Sequence, residues 1–133
     1  MTNDLDFHLT KQFPQIFVLS PGTNHENRPD QIMWGFECGD GWYQVIHDLC
    51  QSIMVHCEQT GDRVPQAEQV KEKFGGLRFY VDRASDEVYR IIEQFEDYSY
   101  KVCETCGKPG HRRLDLSWIA VLCDYHYDER KKR

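Results

Sequence analysis

Cys103, Cys106, Cys123 and His126 stand as C-x2-C-x16-C-x2-H. Sulfur and imidazole are the ligands a tetrahedral zinc ion prefers. Two ligands separated by two residues reach one ion from a tight turn, and Gly107 after the second cysteine suits that turn. The sixteen residues between the pairs are enough for a short hairpin that returns Cys123 and His126 to the first pair. Residues 124–133, DYHYDERKKR, can open a helix with His126 on its first turn. Knuckle, hairpin and ligand-bearing helix describe a treble-clef-like finger. Four protein ligands leave no position for water, so one structural Zn2+ is expected rather than a catalytic one. Free or disulfide-bonded cysteines would leave the paired spacing without a cause.

Other residue sets invite chemistry less strongly. His111 lies between the ligand pairs, where nucleases on related zinc folds keep a base. The companions such a base needs are missing, so it reads as a solvated histidine. Cys50 with His47, or Cys57 with His56, could form a thiol–imidazole pair. Both thiols fall on an apolar helical stripe, where a thiol behaves as a small hydrophobe. Cys38, His47 and Cys50 make a weaker second metal candidate. Lys71, Lys73, Arg78 and Tyr80 give a hairpin a basic, aromatic face, and Arg112 and Arg113 add charge beside the finger. These six are the candidate nucleic-acid contacts, against the plainer reading of a solvated face. Trp34, Asp40, Trp42 and Tyr43, around FECGDGWYQVI, are candidate partner contacts. Their structural alternative is a helix start with close backbone approach and an aromatic anchor.

These residues need elements to hold them. Trp42, Val45, Ile46, Leu49, Cys50, Ile53, Met54 and Cys57 recur at helical spacing, predicting a helix over about 41–59 with Asp40 as cap. Alternation on both sides of Gly75-Gly76 predicts a β-hairpin. Ser85 caps a second helix over 86–99, with Val88, Ile91, Ile92 and Phe95 as its stripe. Residues 7–19 suggest a short helix or irregular apolar segment limited by Pro14, and 20–31 a loop. The expected fold is α+β: two helices packed on a β-hairpin, then the finger. Its divisions are an N-terminal segment and loop (1–30), a body (31–102) and a zinc-finger module (103–133).

The chain has 133 residues and a formal charge of −6, with eight acids and two bases in the first 60 residues and five acids and seven bases from 103 onward. An acidic body with a basic end disfavours a general nucleic-acid binder. No run approaches the roughly 18 apolar residues of a membrane helix, and no signal peptide is evident. A cytoplasmic protein with no membrane contact is expected.

The blocks WGFECGDGWYQVIHDLC, QVKEKFGGLRFYVD and CETCGKPG…WIAVLCDYH resemble those of small uncharacterised proteins of bacteriophages and bacterial genomes. The likeness runs over residues 34–126. It implies a phage or prophage accessory protein and assigns no catalytic residue. The leading expectation is a non-enzymatic binder of a host protein, of the kind that disables host defence. A nucleic-acid-binding module comes second and a metal-dependent nuclease third. Neither the partner nor the oligomeric state is legible.

Overall fold

The computed structural model describes residues 1–18 and 35–132. Trp34 and the expected loop at 20–31 lie outside them. Helix α1 spans Asn3–Gln12, capped by the Thr2 hydroxyl, which accepts from the Leu5 N–H, with Asp4 and Asp6 at the positive end of the helix dipole. The helix thus ends before Pro14. Leu9 of α1 and Phe13, Ile16 and Phe17 after it are buried.

Strand β1 is only Phe36–Glu37, too short to show alternation in sequence. A 3₁₀ turn at Asp40–Trp42 leads into α2, Tyr43–Thr60. Asp40 does not cap α2. Its carboxylate accepts from the Thr2 N–H at 2.8 Å, tying α1 to this turn. Val45, Ile46, Leu49, Cys50, Ile53 and Cys57 form the buried face of α2, and Gly61 ends it in the left-handed region.

Strands β2 (Ala67–Lys73) and β3 (Gly76–Val81) are antiparallel, and β1 pairs parallel to β2, giving the order β1-β2-β3. Phe36, Val70 and Phe79 lie in register on the core side. The turn is Phe74-Gly75, not the expected Gly75-Gly76. Phe74 (φ 53°) and Gly75 (φ 90°) both adopt the positive φ of a primed hairpin turn. Gly76 is displaced into β3, where a Cβ would meet the Tyr100 ring at 2.3 Å.

Helix α3, Asp86–Ser99, starts at Ser85, whose hydroxyl accepts from the Val88 N–H at 3.2 Å. It lies along the free edge of β3. The Leu77 N–H donates to Ser99 Oγ (2.9 Å) and the Phe79 N–H to Glu96 Oε2 (2.8 Å), so the edge is not left open for pairing. α1, α2, α3 and the sheet share one core. Each fully buried Leu or Ile in it contributes about 1.5–3 kcal/mol. Strands β4 (His111–Arg113) and β5 (Ala120–Leu122) and helix α4 (Asp124–Lys131) follow. The α+β class with a zinc-finger-like end is therefore as expected. Among the described residues, no helix is long and apolar enough to cross a membrane.

Candidate metal centre

The knuckle is built by its backbone. Val102 bridges to Pro109. The Cys103 N–H donates to the Lys108 carbonyl at 2.8 Å, and the Gly107 N–H returns to the Cys103 carbonyl at 2.9 Å. The β4–β5 hairpin then delivers Cys123 as the cap of α4, its sulfur accepting from the His126 N–H. His126 is thereby held on the first turn, with Nδ1 facing the sulfurs.

The four ligand atoms lie within 4.8 Å of one another. Cys106 Sγ and Cys123 Sγ are 3.8 Å apart. His126 Nδ1 is 3.8 Å from Cys103 Sγ and 3.3 Å from Cys123 Sγ. A regular tetrahedron with metal–sulfur bonds of about 2.3 Å has edges of about 3.8 Å, so the cage matches a tetrahedral ion. Its electrostatics agree. Burial opposes the Cys103 thiolate, but backbone N–H groups, including that of Cys123, outweigh it and lower its pKa. Burial and the crowding of Cys103 and Cys123 push the Cys106 thiol up. A cation among the sulfurs would favour the Cys106 thiolate that its neighbours oppose.

Arg113 braces the cage. Its guanidinium donates to the Leu122 carbonyl (3.1 and 3.0 Å) and to Asp124 (2.8 Å), and stacks on Tyr127 with 4.2 Å to the ring centroid. It joins the hairpin to the ligand-bearing helix, and its side chain is 15% exposed. As a candidate phosphate contact Arg113 is disfavoured: Nε and Nη2 are engaged inside the finger and the side chain is largely covered.

The finger is docked on the body through GDGW. Gly41 N–H donates to the Glu104 carbonyl (2.8 Å), Gly39 N–H to Glu104 Oε2 (2.9 Å), and Trp42 Nε1 to the Val102 carbonyl (2.9 Å). A Cβ on Gly41 would stand 2.2 Å from the Cys103 carbonyl oxygen. Trp42 is fully buried. It anchors the knuckle and cannot be a partner contact. Tyr43 is half-buried and stacks on His47, and Asp40 is held by Thr2. Burial thus removes Trp42 from the candidate contacts, while Asp40 is exposed and Tyr43 partly so.

The remaining candidates divide. Lys71, Arg78 and Tyr80 share the sheet face opposite the core with Lys73, as the pairing of Lys71 with Arg78 and Lys73 with Gly76 requires. Arg78 donates to the Tyr100 hydroxyl, and Arg112 lies over the Tyr100 ring, so the finger extends this basic face. Cys38, Cys50 and Cys57 are buried free thiols. Burial raises all three, Cys38 to about 12. His47 contacts Gln12 and Asp48, and His56 contacts Asp62, in keeping with Cys50 and Cys57 as small hydrophobes on the buried stripe. His111 is exposed. Among the described residues, the Cys3His set is the one group of ligands close enough together to hold a metal ion.

A feature the sequence did not announce lies where the two hairpins meet. Lys71, Glu72, Lys73 and Phe74 face Ser117, Trp118 and Ile119 across a groove of about 490 Å3. Trp118 is 68% exposed and Phe74 61%. Both sit in turns or loops, where an aromatic residue has no periodic partner to flag it. No family model matches the chain, and neither a curated protein nor a solved structure does.

Proposed function

We propose that this chain is a zinc-stabilised, non-enzymatic binding protein. The observation that carries this reading is the closed Cys103, Cys106, Cys123, His126 cage, which offers a metal four protein ligands and no open position. Bound zinc would supply folding free energy and no reaction chemistry. Function then resides in surface, and the thiols outside the cage are buried and inert. The resemblance of the GDGW, KEKFGGLRFY and CxxCG…LCxxH blocks to phage and bacterial proteins supports a phage or prophage accessory role against a host protein, including inhibition of a defence complex.

Native mass spectrometry tests the metal: one zinc per chain is expected, and a folded, metal-free chain would overturn it. Affinity capture from a bacterial lysate, with and without nuclease, tests the binding. A specific protein retained after nuclease is the expected result. The second reading, nucleic-acid binding, is favoured by Lys71, Lys73, Arg78, Tyr80 and Arg112 converging around one sheet face. Capture lost with nuclease, and affinity falling steeply with salt, would favour it instead.

A further inference from the structure

We infer that the groove between the β2–β3 turn and the β4–β5 loop binds a short acidic peptide segment carrying one bulky apolar side chain. This rests on the binding-protein reading and names where and what it binds.

Three observations converge. The first is apolar surface held ready. Phe74 and Trp118 stand on the two sides of the groove and are mostly exposed. Trp118 is nevertheless fixed, because its Nε1–H donates to Glu72 Oε1 at 3.1 Å. An exposed indole pinned by its polar edge presents its faces to a partner without further ordering. The second is a broken local rule. The first residue of a primed turn favours Asn, Asp or Gly, yet here it is Phe74 at φ 53°. The ring stays mostly exposed, with the Lys73 ammonium 5.8 Å from its centroid as a peripheral contact. Local rules broken without an internal gain concentrate at functional sites.

The third is charge. The chain is −6 overall, but Lys71 and Lys73 line the groove. Arg112 reaches the same turn, its Nε 3.7 Å from where a Gly75 Cβ would stand. The carboxylate in the groove, Glu72, is occupied by the Gly75 N–H (2.7 Å) and by Trp118. An acidic segment is therefore matched and a basic one is not. A nucleic acid would match the cations as well. It also gains affinity by neutralising many phosphates, but past Arg78 and Arg112, which extend the basic face, it would meet a chain of net negative charge. A short peptide needs the groove alone.

The test is selection from a random dodecapeptide display library on the zinc-loaded full chain, then fluorescence anisotropy with the enriched peptide and with oligo(dT). The expected motif is a bulky apolar residue flanked by Asp or Glu. Trp118→Ala should weaken it by about tenfold or more, as loss of a central aromatic anchor does. Phe74→Asn is the decisive variant. Asn tolerates the left-handed turn, so its Tm should stay or rise while peptide affinity falls. Basic motifs, no enrichment, equal binding to Phe74→Asn, or tighter binding of oligo(dT) would each overturn the inference. A lysate partner held equally by wild type and by both variants would overturn the groove and keep the binding-protein reading. Capture of nothing by any of them would overturn that reading itself.

Discussion

At the scale of single residues, Gly41 has the most demanding position. The 3₁₀ turn and the knuckle touch backbone to backbone there, so an added methyl meets carbonyl oxygens that cannot rotate away. Gly41→Ala should destabilise the fold by about 2–3 kcal/mol, read as a lower denaturation midpoint together with faster zinc transfer to a colorimetric chelator. Wild-type behaviour in both would refute the docking role. The thiols offer a second check. Metal-loaded protein should resist iodoacetamide at neutral pH. Chelation should expose Cys103, Cys106 and Cys123, while Cys38 and Cys50 react only on global unfolding, since burial keeps them protonated. Peptide mapping of the labelled sites decides it. The four ligands were legible because spacing is local information. The carbonyl that Gly41 meets was not, because it lies more than sixty residues away in the chain. For the same reason Trp42, exposed by one reading of its block, proved to be an internal anchor.

At the scale of elements, α2, α3 and the hairpin were legible from period and caps, with shifts that have local causes. The turn moved by one residue because Tyr100 occupies the space above Gly76. The start of α2 moved because Asp40 serves Thr2 rather than its own helix. The brace made by Arg113 had no sequence signal, since a basic residue in a short strand reads as solvated. Arg113→Met keeps the aliphatic stem and removes the donors. It should lower zinc affinity by about tenfold, as loss of an outer partner of a metal site does. Chelator competition measures this, and unchanged affinity would make Arg113 a bystander. Along the β3 edge, Glu96→Ala should cost about 1 kcal/mol, since the Phe79 N–H loses its acceptor. Glu96→Gln keeps the acceptor and should be nearly neutral in urea denaturation.

At the scale of the whole molecule, pH separates two kinds of carboxylate. Asp62 is held below its ordinary value of 3.8 by His56 and then Ser85. Asp82 is held lower still by Arg63 and by the Gln66 and Arg83 N–H groups. Their folded values lie under the unfolded ones. Their stabilisation is complete above the ordinary Asp value and is lost as pH falls below it toward the folded values. Glu96 is raised above 4.5 by burial. Its sign is opposite: its contribution is present below that value and is lost as pH rises through the folded pKa. Zinc-loaded protein should therefore lose stability below about pH 4. Glu96→Gln should lessen the decline above pH 4.5, to which Glu104, also raised by burial, contributes, without changing the acid limb. Urea midpoints across pH measure both, and an unchanged slope in the variant would remove Glu96 from the account.

With zinc in the cage as proposed, the bonds from Gly39, Gly41 and Trp42 to the knuckle would also tie the body to metal supply. Coupling of this kind is reciprocal: what loosens the turn before α2 weakens the ion's hold, and losing the ion loosens the turn. By mass action, free zinc at a thousand times its dissociation constant adds about 4 kcal/mol of stability, a large share of what a small domain possesses. A cell that withholds zinc would shorten this protein's lifetime through degradation. Its abundance would then follow the metal economy of the cell that houses it.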